Sequence, residues 1–145
     1  YILDLRPRQL RDQNLYNGIE SLVREFRANT LIEVDLEKDL KNVENIPDLS
    51  SEILFHICQE ALANVAKHAR ATKVNGRLWE TPQRVMLKVS DDGAGFDLAK
   101  INQRLGHGLS NMTTRAEAVG GGIEIISIRH QGTTVLAWVP NALSK

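Results

Sequence analysis

A single cysteine, Cys58, leaves the chain without a partner for an intrachain disulfide, which fits a reducing compartment. It falls in the apolar phase of a helical stretch, so it reads as a small buried hydrophobe rather than a ligand or nucleophile. No apolar run approaches the length of a membrane span, and no signal-peptide pattern opens the chain. An excess of either charge is missing too, since 18 basic residues balance 18 acidic ones. A nonspecific nucleic-acid binder usually carries a basic surplus, so direct contact with nucleic acid is not expected. Internal repeats and low-complexity segments are also missing. What remains is 145 residues with 42% hydrophobic content, enough for one core and short for two. One domain that is not inserted in a membrane is expected, in the cytoplasm, whether or not a parent protein is anchored.

The opening stretch YILDLRPRQL has no Met, and Ile2, Leu3, Leu5 and Leu10 precede any element they could pack on. It reads as the middle of a longer protein. Pro7 would end a helix near Arg6 in any setting, so residues 1–13 are a junction or an ordinary linker. From Asn14 to about Ala28, Leu15, Ile19, Leu22, Val23 and Phe26 recur at helical spacing and form a core stripe without chemistry. Leu31 to Leu36 alternates as a half-exposed strand, and Lys38 to Asp48 reads as a loop.

The stretch Ile53 to Ala69, ILFHICQEALANVAKHA, predicts one helix with two faces, capped by Ser50 or Ser51 with Glu52 in its first turn. At 100° per residue, Leu54, Cys58, Ala61, Leu62, Val65 and Ala69 occupy one arc and Glu60, Asn64, Lys67 and His68 another. An acid, an amide, an ammonium and an imidazole on one face could serve a metal-bound triphosphate, supplying oxygen ligands to the cation and donors to the phosphates. The same pattern also describes a solvated surface face.

Two strands follow, Lys73 to Glu80 and Arg84 to Ser90, joined by Thr81-Pro82-Gln83. The second turns Val85, Leu87 and Val89 inward, and that parity carries Asp91 to the end of a buried face, where a donor should meet it. Gly93 and Gly95, in VSDDGAGF, permit sharp turns and close approach of a flat ligand, although DDGAGF alone also suits a hairpin or a calcium-type turn. Gly106-His107-Gly108-Leu109 opens a helix that Gly120-Gly121 stops, with Leu109, Met112, Ala116 and Val119 on one side. Free backbone N–H groups at its start make an anion site suited to phosphate. The strands Ile123 to Ile128 and Thr133 to Val139 close the chain.

In order and spacing, the central helix, VSDDGAGF, GHGL and GTTV (Gly132 to Val135) resemble the four nucleotide-binding boxes of the GHKL (Bergerat-fold) superfamily of ATPases and histidine kinases. Four boxes in register are far more specific than one Gly-x-Gly. Leu5-Arg6-Pro7 before a helix resembles the junction to the dimerising hairpin in the nitrate-sensor-like subgroup of histidine kinases, and the short segment between Phe96 and Gly106 is typical of that subgroup. One departure is the family's frequent Pro-Gly-x-Gly-Thr, which here is Arg129-His130-Gln131-Gly132-Thr133.

The resemblance implies an α/β sandwich: a mixed, mainly antiparallel sheet of about five strands, with three helices on one face. Residues 14–145 would be the catalytic ATP-binding domain. By the same resemblance Asp91 and Thr133 read the adenine edge, and Gly93 and Gly95 line it. Asn64 ligates Mg²⁺, while Lys67, His68 and the backbone of Gly106, His107, Gly108 and Leu109 hold the phosphates. Glu60 is the catalytic carboxylate, the general base for water in the ATPase branch and an orienting group for metal-bound water or the phosphoryl group in kinases. The implied function is transfer of the γ-phosphoryl group of Mg-ATP to a histidine on a separate dimerisation domain of the same, homodimeric protein. The phosphoryl group would then pass to a response regulator with a helix-turn-helix output domain. The alternatives on the same boxes are an anti-sigma-factor type serine kinase, which would not need the Leu5-Arg6-Pro7 junction, and a pseudokinase, against which the intact Glu60, Asn64 and Asp91 argue.

Overall fold

The computed structural model describes residues 7, 14–41, 46–95 and 108–141. Helix α1 spans Leu15–Thr30, where the Asn14 side chain caps the first turn by accepting from Asn17 N at 2.9 Å. Its apolar stripe Leu15, Ile19, Leu22, Val23 and Phe26 is buried as the spacing predicts, and it ends at Leu31 in the left-handed region. Strand β1 (Glu33–Asp39) lies parallel to β2 (Lys73–Glu80), the pair being joined through helix α2 (Asp48–Asn64). A crossover of this kind is what parallel neighbours require. Strand β3 (Arg84–Asp91) forms a hairpin with β2, in which Thr81 N donates to Arg84 O at 2.8 Å. Helix α3 (Gly108–Ala118) then leads to β4 (Gly122–Ile128) and β5 (Gly132–Pro140). The sheet order is β1-β2-β3-β5-β4, mixed with one parallel pair, as expected.

One face of the sheet meets the helices. Val74, Leu78, Val85, Leu87, Val89, Val135, Ala137 and Val139 are buried there with Ile53, Leu54, Ile57, Cys58, Ala61 and Leu62 of α2. Each fully buried aliphatic side chain contributes about 1.5–3 kcal/mol. Cys58 lies within this core, and burial pushes its thiol up to about 12, so it is inert as a nucleophile. On the opposite face Trp79, Met86 and Trp138 stand in register across β2, β3 and β5. Arg77 lies 4.4 Å from the Trp79 ring centre and Arg84 lies 5.7 Å from that of Trp138.

Three local expectations are corrected. The segment from Lys38 is not all loop, because parallel pairing with β2 continues to Asp39 opposite Trp79. Neither Ser50 nor Ser51 caps α2. The helix begins earlier, after Pro47, without a side-chain cap. Ser50 is instead buried and its hydroxyl donates to Pro140 O at 3.0 Å, tying the helix to the end of β5. Finally, α2 does not stay α-helical to Ala69: Val65–Ala69 form a π turn that ends at Arg70 in the left-handed region, φ 51°. The wider turn takes Lys67 and His68 off the angular phase assumed for an unbroken helix.

Candidate functional site

At one end of the sheet the inner face changes from apolar to polar. Val34, Val74 and Asp91 follow one another in register across β1, β2 and β3, and Thr133 of β5 faces Ser127 of β4. Parity places all five on the helix side. The Asp91 carboxylate is half-buried, and the expected donors meet it: Gly93 N at 2.8 Å and the backbone N–H of Thr133. Burial nonetheless outweighs these two bonds, with a smaller contribution from the neighbouring Asp92 charge, and raises its pKa above the usual carboxylate value.

Asp92, one residue on, points to the other side. Its carboxylate accepts from Thr72 N at 2.9 Å, Thr72 Oγ1 at 2.6 Å and Lys73 N at 3.1 Å, and these bonds hold its pKa below the usual value. The sequence reading did not assign this clamp a role. Strand parity could have found it, since an inward Asp91 requires an outward Asp92.

The loop after β3 and the β4–β5 turn are interlocked by backbone. A Cβ at Gly95, φ 63°, would run into Ile128 O and lie 3.1 Å from Gly132 O; one at Gly132, φ 108°, would run into Asp91 O and lie 3.2 Å from Asp92 Cα. His130 N donates to Ala94 O at 2.5 Å. The close approach that Gly95 permits is therefore made by the protein's own hairpin. His130 has φ 67° and stands where the family motif carries Gly, so the turn keeps its left-handed conformation without the glycine.

On the helix side, Glu60 and Asn64 sit one turn apart at the end of α2. Asn64 is 9% exposed, and its Nδ2 has no hydrogen-bond partner among the described residues. That excludes the solvated-face reading for Asn64, because an orphaned buried amide is costly unless something binds it. Glu60 is half-buried and abuts the start of α3: a Cβ on Gly108 would lie 2.8 Å from Glu60 Oε2 and closer still to its other carboxyl atoms. The free N–H groups and positive dipole end of α3 thus meet an acid. Leu109 is buried, so its side chain belongs to the core and only its backbone is available to a ligand. Lys67 is exposed on the π turn. The side chain of His68, and Gly106, His107 and the Phe96–Gly106 segment, lie outside the described residues. Among the described residues no three His, Cys, Asp or Glu converge on a metal position. The donor set suits Mg²⁺, which commonly takes one or two protein ligands and completes its shell with phosphate and water.

Comparison with known proteins finds a family and named relatives to which the chain is similar. The family described as "Histidine kinase-, DNA gyrase B-, and HSP90-like ATPase" matches residues 50–143. The chain is 37% identical over 139 residues to the sensor histidine kinase LiaS of Bacillus subtilis, covering 96% of this chain and 38% of that protein. It is 35% identical over 144 residues to the sensor histidine kinase MctS of Rhizobium johnstonii, covering 98% and 31%. The sensor protein VraS of Staphylococcus aureus is 34% identical over 141 residues, covering 96% and 39%. The chain thus spans less than half the length of these relatives. No helix among the described residues is long and apolar enough to cross a membrane. With the five-stranded mixed sheet, the helices on its apolar face and a family match covering more than half its length, the chain belongs to the histidine kinase-, DNA gyrase B- and HSP90-like ATPase family, whose ligand is ATP.

Proposed function

We propose that this chain is the ATP-binding catalytic domain of a sensor histidine kinase. It donates the γ-phosphoryl group to a histidine on a separate dimerisation domain of the same protein, from which a response regulator with a helix-turn-helix output domain is charged. The observation that carries the reading is the buried Asn64 amide, whose Nδ2 has no hydrogen-bond partner among the described residues, beside Glu60 and the start of α3. Adenine lies against the inner face at Val74, with Asp91 and Thr133 on its amino edge. The phosphates run toward the α3 N-terminus, with Lys67, His68 and the backbone from Gly106 to Leu109 as their donors. Asn64 would hold Mg²⁺ through its amide oxygen, and the ion would supply charge neutralisation to the phosphates. Glu60 would orient water bound to that ion, or the phosphoryl group. In the transfer, an imidazole nitrogen bonds to the γ-phosphorus while the bond to the β-phosphate oxygen breaks, ADP leaves, and a base outside this chain takes the imidazole proton.

None of the chain's four histidines suits that role. His56 sits in α2 with its ring nitrogen 3.3 Å from Gln59 Oε1, His130 is fixed in a tight turn, and His68 and His107 belong to the nucleotide boxes. In-line placement of the acceptor is most of what phosphoryl transfer asks of a protein. The test is incubation of this chain with labelled Mg-ATP. The expected result is no acid-labile phosphate on the chain alone, and label on histidine when the dimerisation hairpin is added. Asn64→Ala should abolish that label and the Mg²⁺-dependent part of ATP affinity. Labelling of the chain by itself would overturn the reading.

A further inference from the structure

We infer that Asp92 is a positioning residue for the phosphate-binding turn: its carboxylate pins the chain at Thr72 and Lys73 and thereby holds the π turn that carries Lys67. The inference rests on the placement of the phosphates at Lys67 proposed above and extends it to an acid with no contact of its own to the ligand. The π turn Val65–Ala69 is followed by Arg70 in the left-handed region, φ 51°, and Thr72 stands two positions further on. A wide turn and a left-handed residue other than glycine are both unfavourable by themselves, and they last only where the chain on either side is held. Upstream the hold is apolar, since Ala61, Leu62 and Val65 are buried in the core. Downstream it is polar. Arg70 is exposed and Ala71 half-buried, and then the Asp92 carboxylate takes Thr72 N at 2.9 Å, Thr72 Oγ1 at 2.6 Å and Lys73 N at 3.1 Å.

The anchor is itself fixed from several sides. Asp92 N donates to Lys73 O at 3.3 Å, one step past the last β2–β3 pair, Val74 and Asp91. Thr72 O accepts from Glu33 N at 3.2 Å, so β1 holds the pinned residue on its other side. The backbone of the β4–β5 turn closes on the same place, with the Cβ position of Gly132 3.2 Å from Asp92 Cα. Two consecutive acids thus divide the work: Asp91 turns inward to the adenine edge, and Asp92 turns outward and holds the chain that follows the phosphate turn. Lys67 is exposed, so the backbone of the turn, and not packing of its side chain, decides where its ammonium can reach. Without the pin at Thr72 the turn is free to tighten toward ordinary α geometry, which rotates residue 67 about the helix axis and takes its charge away from the phosphates.

The experiment measures dissociation constants of the 145-residue chain for Mg-ATP and for adenosine, whose ratio isolates what the phosphates contribute. Asp92→Ala should weaken Mg-ATP by about fivefold, the order that one exposed charge contact supplies, and should change adenosine less than about twofold because Asp91 keeps its Gly93 N–H. Asp92→Asn keeps an oxygen for the two backbone N–H groups and turns an amide donor toward Thr72 Oγ1, which can accept, so its ratio should match that of the unaltered chain. Thr72→Val removes the hydroxyl bond alone and should lower the ratio less than Asp92→Ala does. Lys67→Ala should lower the ratio in the unaltered chain and add little in the Asp92→Ala chain, because Asp92 acts through the turn. A merely structural role would weaken both ligands together. An unchanged ratio in Asp92→Ala, or in Thr72→Val where the former does not fold, therefore overturns the inference. If Lys67→Ala lowers the ratio and Asp92→Ala does not, the phosphate placement stands and only the role of Asp92 falls. If Lys67→Ala leaves the ratio unchanged, the phosphate placement falls and the inference with it.

Discussion

Asp91→Asn separates what the site needs for binding from what the fold needs for stability. In the free protein the carboxylate is raised in pKa because burial costs more than the Gly93 and Thr133 N–H groups return. An asparagine oxygen can still accept from Gly93 N, now 2.8 Å from Asp91 Oδ1, without the desolvated charge. The ligand-free variant should therefore melt no lower than the parent, and up to about 3 °C higher for about 1 kcal/mol. Nucleotide binding should move the other way. Loss of a charge-assisted bond, and the chance of presenting an amide donor to the adenine amine, cost about 1.5–3 kcal/mol, or roughly ten- to a hundredfold in affinity. The pH dependence gives a second reading. A carboxylate with a raised folded pKa contributes stability that is fully present below its unfolded pKa and is lost as pH rises through the folded value. Across that acidic window the parent should lose stability relative to the variant, and above it the difference should level off. Titration calorimetry with ATP and thermal melts of the ligand-free chain between pH 3 and 7 check both limbs. An Asp91→Asn chain that binds ATP as tightly as the parent, or that no longer folds, would refute the reasoning.

The neighbouring acid should behave oppositely. Asp92→Ala removes the clamp on Thr72 and Lys73 and should cost about 1 kcal/mol after allowance for solvent screening. Because its folded pKa is lowered, that stabilisation is present above the unfolded pKa and disappears as pH falls through the folded one, which denaturant titrations at pH 7 and pH 3 would show. Gly108→Ala drives a Cβ into the Glu60 carboxyl group and should cost about 1–3 kcal/mol; Glu60→Ala in the same chain should restore most of it, as urea unfolding of the single and double variants would reveal. His130→Gly relieves a left-handed side-chain residue and should stabilise by up to about 1 kcal/mol, the extra freedom of the unfolded glycine offsetting part of the gain. A loss in thermal melts would mean that the His130 side chain makes its own contribution.

Strand parity and helical spacing made much of the fold legible. The hairpin Lys73–Glu80 and Arg84–Asp91, the stripe of α1 and the inward Asp91 follow from periods of 2 and 3.6, which depend only on residues close in sequence. What was not legible depends on distant partners. Ser50 looks like a cap from its neighbours alone, yet it serves Pro140, 90 positions away. Strand β1 runs to Asp39 because β2 offers it a partner, not because Lys38 or Asp39 favours a strand. The π turn at Val65–Ala69 left no periodic signal, since one wider turn shifts the phase only for the residues after it.

The glycines of the site teach the same lesson more sharply. Read from sequence, Gly93 and Gly95 leave room for a flat ligand, and the changed residues Arg129 and His130 cast doubt on the β4–β5 turn. In the structure Gly95 and Gly132 leave room for each other's strands, with Ile128 O against one and Asp91 O against the other. The His130 N–H closes the contact on Ala94 O. The turn needs a backbone donor and a left-handed residue at position 130, and histidine supplies both at a modest conformational cost, since it visits that region more readily than most residues. Glycine at 132 is a stricter requirement, because a side chain there would strike the backbone that carries Asp91. The Gly-Thr pair persists while the Pro-Gly before it does not, for a steric reason. Two backbone segments touch beside Asp91, and a glycine stands at each contact, Gly95 against Ile128 O and Gly132 against Asp91 O.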